Sequence, residues 1–131
     1  MVFYDGACGL CHRAVRFAIA RDRDGSRFRF AGLDSAAFRR LVPEAVRPGL
    51  PDSVAVLTAD GALLARSAAV IHMLERIGGG WRLLGGLLGL LPRSMRDLGY
   101  DGIARVRSRA FRRPVEACPV TPPALRARFE V

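Results

Sequence analysis

Cys8 and Cys11 stand three residues apart in the run Val2-Phe3-Tyr4-Asp5-Gly6-Ala7-Cys8-Gly9-Leu10-Cys11-His12. The run passes from strand-favouring residues through an Asp-Gly turn into an apolar-and-arginine pattern, which predicts strand, turn and helix with both cysteines in the first helical turn. Thiol redox chemistry needs that placement. A helix N-terminus carries partial positive charge and free backbone N–H groups, so it favours a thiolate at Cys8 over the thiol. Cys8 is therefore the candidate nucleophile. Cys11, one turn on, points to the same side and lies deeper, where it can close a ring with Cys8 as the candidate resolving thiol. Gly9 and Leu10, between them, bring no charge to the pair and are candidate substrate contacts.

Asp5 has two readings. A desolvated carboxylate can take the proton from Cys11 as that thiol becomes a nucleophile. An Asp-Gly turn residue can instead bond backbone N–H groups at the start of the helix.

The same cysteines allow rival chemistries. Cys8-Gly9-Leu10-Cys11-His12 also spells the haem-attachment pattern Cys-x-x-Cys-His, although a helical His12 would point away from the pair. A zinc site could draw on Cys8, Cys11 and His12 with distant Cys118 or His72. One Cys-x-x-Cys without a second makes that the weaker reading. His72 sits among Val70, Ile71, Met73 and Leu74, which marks a structural histidine, and Cys118 is either a small apolar filler or a third redox thiol.

A chain of 131 residues fits one domain and can bury a core without disulfide or metal. Three cysteines with one close pair fit a reducing compartment better than a secreted scaffold, and no signal peptide precedes the first strand, so a cytoplasmic protein is expected. The longest apolar run, Leu83 to Leu91, is about half a membrane span. The net charge of +9 rests on 21 arginines and no lysine, a bias that weakens its functional meaning. Residues 1–66 hold 10 arginines against 7 acids and residues 67–131 hold 11 against 5, so the second half is the basic one.

The elements that must position the pair follow in order. Ala14, Val15, Ala18 and Ile19 continue the first helix; Phe28, Phe30 and Leu33 mark a second strand; Ser35 caps a short helix through Phe38, Leu41 and Val42. Val54 to Ala65 predicts a hairpin with a two-residue Asp60-Gly61 turn. Ser67 is expected to cap a helix through Val70, Ile71 and Leu74, ended by Gly78-Gly79-Gly80. The order β-α-β-α-β-β-α with cysteines after the first strand resembles the thioredoxin-like α/β fold, a mixed four-stranded sheet. In that fold a proline ahead of the third strand, often cis, faces the pair; Pro51 occupies about that place.

Beyond residue 80 lie an apolar helix from Trp81 to Leu91 and, after Pro92, a longer one. Met95, Leu98, Gly102, Ile103, Val106 and Ala110 share a stripe of the latter, Asp101 and Arg105 stand in pairing position, and Pro114 ends it. The tail is expected to be extended and packed back through Leu125 and Phe129. The arginines Arg105, Arg107, Arg109, Arg112 and Arg113 suggest a different class, a non-catalytic module for nucleic acid or an anionic membrane surface. Without a nucleic-acid motif or interleaved aromatics, specific nucleic-acid binding is not expected, and membrane contact is the weaker form of that idea.

The opening stretch resembles the DCC family of thiol-disulfide oxidoreductases, named for an Asp-x-x-Cys-x-x-Cys signature that here is Asp5, Cys8 and Cys11. Phe3-Tyr4-Asp5-Gly6, Asp52-Ser53-Val54, Tyr100 with Ile103-Ala104-Arg105, and Cys118 through Arg126 and Phe129 extend the likeness along the chain. Ala68 departs from it, where an acidic residue is expected after the serine. The resulting expectation is one thioredoxin-like domain over 1–131, with a core at 1–80 and a helical extension and tail at 81–131. Cys8 and Cys11 would exchange a disulfide with a protein or small-molecule partner, drawing electrons from an external reductant and using no bound cofactor.

Overall fold

The computed structural model describes residues 1–6, 8–50, 54–110 and 127–130. Strand β1 (Val2–Tyr4) leads into helix α1 (Gly9–Arg21), followed by β2 (Phe30–Gly32) and α2 (Ala36–Leu41). A hairpin of β3 (Ala55–Leu57) and β4 (Leu63–Ala65) comes next, then α3 (Arg66–Ile77), α4 (Gly79–Gly89) and α5 (Arg93–Ala110). A last short strand, β5 (Phe129–Glu130), closes the order.

The sheet runs β4-β3-β1-β2-β5, with β1 parallel to β2, β2 parallel to β5, and β3 antiparallel to both of its neighbours. Its first four strands and α1 to α3 compose the thioredoxin-like arrangement; the fifth strand corrects the expected count of four. β5 escaped notice because two residues carry no periodicity. Phe129 nevertheless packs where the tail was expected to return, tilted against Phe30 at 5.4 Å between ring centroids.

Strand alternation divides the core. Val2, Phe30 and Val56 face α1 and α3, where Val15, Ala18, Ala69 and Met73 meet them, while Phe3, Ala31 and Ala55 face α2 with Ala37, Phe38 and Val42. Phe3 and Phe38 meet edge to face at 5.1 Å. Both faces of β1 are therefore covered. The end of this strand, from which the cysteine pair departs, is fixed from two sides.

Local expectations fared differently. Ser35 caps α2 as its type suggests, its Oγ accepting from the Phe38 N–H at 3.1 Å. The hairpin loop has three residues and not two: the Thr58 N–H bonds the Ala62 carbonyl at 2.9 Å, and the loop is a turn closed from the Gly61 N–H to the Thr58 carbonyl. Only Gly61, at φ 89°, takes a positive angle there, the form expected when a type I turn is followed by a left-handed glycine. Ser67 does not cap α3. The strand β4 runs directly into the helix, Arg66 takes the left-handed φ of 55°, Ala65 holds the cap position without a side-chain bond, and the Ser67 Oγ donates to Asp97 Oδ1 on α5 at 2.6 Å.

Helix α4 folds back on α3 through Gly78 and Gly79, both at positive φ. At the crossing, Gly85 is buried so closely that a Cβ there would stand 3.1–3.2 Å from Glu75, Ile71 and Leu74 atoms. Trp81 meets the Phe17 ring edge to face at 4.9 Å, with the Arg21 guanidinium 3.7 Å over Phe17. Helix α5 rests mainly on α3 and pairs Asp101 with Arg66 at 3.9 Å. Its apolar stripe does not enter the core: Met95, Leu98, Ile103 and Val106 are exposed. No helix among the described residues is long and apolar enough to cross a membrane.

Candidate active site

The site is built on the turn between β1 and α1. Cys8 takes an extended backbone (φ −95°, ψ 114°) and is the N-cap of α1, the position where side-chain acceptors satisfy free backbone donors. Its Sγ accepts from the Cys11 N–H at 3.3 Å. The cap is closed further by the Cys8 N–H, which donates to the Asp5 carbonyl at 3.2 Å, and by the His12 N–H, which donates to the Cys8 carbonyl at 3.1 Å. A sulfur in that place faces the positive end of the helix dipole. The two cysteines are not bonded to each other; both are buried in the main core, Cys8 7% exposed and Cys11 2%, so Cys11 is the deeper of the two.

Gly9 and Leu10 open α1 at the rim, both half-buried, with Leu10 packed against the main core. Asp5 is also half-buried, and its backbone carbonyl is the group that bonds Cys8. Pro51 lies outside the described residues, as do Cys118, Pro114 and Leu125. The side chains of Arg107, Arg109, Arg112 and Arg113 are likewise outside them.

The two histidines part company. His12 reaches back across the turn, its Nε2 donating to the Gly6 carbonyl at 2.8 Å and its ring standing edge-on to Tyr4 at 5.6 Å. The nitrogen that would have to meet a haem iron is engaged there. His72 lies at the opposite end of β1, facing Met1, Leu57 and Thr58 beside the hairpin. Burial, followed by the Arg76 charge, holds its pKa below the ordinary 6.5. Among the described residues, no three His, Cys, Asp or Glu side chains gather in a group that could hold a metal ion.

One structural group had no sequence signal. Asp22, at the C-cap of α1, is fully buried; its carboxylate accepts from the Phe28 N–H at 3.1 Å and the Arg27 N–H at 3.3 Å and lies 3.9 Å from the Arg128 guanidinium. Arg128 also donates to the Asp22 carbonyl at 2.7 Å. This knot ties the far end of α1 to β2 and β5. An isolated Asp-x-Asp-Gly run suggests only a turn, and nothing local announces an arginine partner about a hundred residues away.

The comparisons with known proteins agree with this geometry. A family model described as DCC1-like thiol-disulfide oxidoreductase matches residues 2–113. The chain is 33% identical over 129 residues to the uncharacterized protein YuxK of Bacillus subtilis (strain 168), across 98% of this chain and 92% of that protein. It is 30% identical over 113 residues to the chloroplastic DCC family protein At1g52590 of Arabidopsis thaliana, across 86% of this chain and 65% of that protein. No solved structure matches it with significance. A match that begins in β1 and runs past α5 takes in the whole site and every helix, and the chain belongs to the DCC1-like thiol-disulfide oxidoreductase family.

Proposed function

We propose that the protein exchanges disulfides through Cys8 and Cys11. The observation that carries this reading is the Cys8 Sγ in the N-cap of α1, held by the Cys11 N–H, with the second sulfur one turn below it. The Cys8 thiolate attacks one sulfur of a substrate disulfide; a Cys8–substrate bond forms, the substrate S–S bond breaks, and the departing thiolate takes a proton from water. Cys11 then loses its proton and attacks the Cys8 sulfur. The Cys8–Cys11 disulfide forms, the second substrate thiol leaves and is protonated, and two electrons have passed from protein to substrate. An external dithiol returns them.

Asp5 is the proposed acceptor of the Cys11 proton, its half-buried place at the end of β1 supporting that role. Gly9 and Leu10, at the rim of the pair, and Pro51 are the proposed substrate contacts. The partner is a protein or small-molecule disulfide, and the setting is the reducing cytoplasm, where one close cysteine pair stays available.

Titration in glutathione buffers, with free thiols trapped by alkylation and disulfides located by peptide mass, tests the reading. A reversible Cys8–Cys11 disulfide is expected. Cys11→Ser should accumulate a mixed disulfide on Cys8, Cys8→Ser should form none, and Asp5→Asn should slow release of the mixed disulfide about a hundredfold. A pair that stays reduced at every poise overturns the proposal.

A further inference from the structure

A small cavity opens beside buried Cys11, and one of its walls is a helix outside the seven elements of the thioredoxin-like core. It measures about 70 Å³ and lies between Leu10 and Cys11 of α1, Val54 ahead of β3, and Tyr100, Ile103 and Ala104 of α5. We propose that this cavity is a specificity pocket for an aliphatic side chain next to the substrate's disulfide. The preferred substrate is then a peptide or protein disulfide with a branched apolar residue beside the cysteine. This inference rests on the exchange reaction at Cys8 and Cys11.

Four observations support it. The lining is almost wholly apolar and none of its described side chains is charged, so a polar group entering it would lose water without gaining a charged partner. Cys11 itself forms part of the wall, so a side chain seated there lies against the residue that must release the substrate. The volume is about half that of a cavity that takes up benzene, which suits a chain of three or four carbons and excludes an aromatic ring. Finally, Ile103 is exposed while Ala104 is half-buried, so the pocket is reachable from outside and is kept open by a small residue.

The wall is also held in place. Ser67 bonds Asp97 at 2.6 Å and Arg66 pairs with Asp101 at 3.9 Å, and both acids flank the turn of α5 that carries Tyr100. The clamps lie on the α3 side. Helix α5 therefore presents Tyr100, Ile103 and Ala104 to the pair as a positioned surface.

The test uses the full reduced chain and two synthetic peptide disulfides that differ only beside the cysteine, leucine in one and serine in the other. The second-order rate of disulfide reduction should be about sixtyfold higher for the leucine peptide, the value of roughly three buried carbon groups. Ala104→Phe, which fills the pocket, should bring the ratio close to one. Ile103→Ala, which widens it, should move the preference toward a phenylalanine peptide and keeps the test sound if the first variant folds poorly. Equal rates for the two peptides on the unmodified chain, or a leucine preference untouched by both variants, overturns the pocket and leaves the exchange reaction standing. If neither peptide is reduced and the pair stays reduced in the glutathione titration, the exchange reading falls and the pocket with it.

Discussion

Helices α1 and α5 carry the same kind of pattern, an apolar stripe at helical spacing opposite a row of arginines, and the molecule uses them in opposite ways. On α1 the stripe is buried, Val15 and Ala18 lying under the sheet. On α5 it faces outward, with Leu98 76% exposed, and the neighbouring α4 leaves Leu90 81% exposed. The difference lies in what stands opposite each helix. Helix α1 crosses between two paired strands and must lie on the sheet, whereas α5 rests on another helix and is held by polar clamps at Asp97 and Asp101. A period in the sequence says that one face is apolar. It does not say that anything covers that face. Attachment by a few half-exposed contacts also opens at lower cost than a buried core, so α5 should exchange amide hydrogens ahead of α1.

That contrast can be broken at three places. Asp22→Ala strikes the α1 side hardest, because it strips the buried carboxylate from two backbone donors and from Arg128; the whole domain should lose about 3 kcal/mol, read as a lower midpoint in chemical denaturation. A loss below about 1 kcal/mol would mean that water replaces the carboxylate. Gly85→Val acts only where α4 crosses α3, where the added carbons meet backbone and side chain; a loss of about 2 kcal/mol is expected, with hydrogen exchange rising in α4 and not in β1. The smallest effect belongs to the α5 clamp. The Ser67 hydroxyl holds the Asp97 carboxyl below its ordinary pKa of 3.8, so its stabilisation is present above that value and is lost as pH falls through the lower folded one. Ser67→Ala should remove that acid-dependent part and raise exchange in α5 alone, and an unchanged acid profile would show that the bond carries no weight.

The same contrast explains what the sequence revealed. The strands, the order of elements and the cysteine turn were legible because each rests on contacts within a few residues or on simple alternation, as with Val2 and Phe3 facing opposite cores. Ser35 was legible for the same reason: its partner is three residues away. Ser67 was misread because a hydroxyl near a helix start looks like a cap whether or not the backbone leaves room for one, and its true partner stands thirty residues on. The Asp22–Arg128 knot, β5 and the outward stripe of α5 are decided by which surfaces meet in three dimensions. Short-range pattern carries no trace of that. At the site, the turn and the pair could be read directly, but the pocket wall from α5 could not.

The cap at Cys8 has a thermodynamic consequence. The sulfur proposed as the nucleophile is also the acceptor that satisfies a backbone donor of α1, so closing the proposed disulfide would disturb that cap. Under the proposed exchange, folding and reduction would then be linked: an interaction of the first turn of α1 that the disulfide form loses would stabilise the dithiol and make the disulfide the stronger oxidant. The His12 bond to the Gly6 carbonyl braces that turn, and under the proposed exchange it would bear on redox poise.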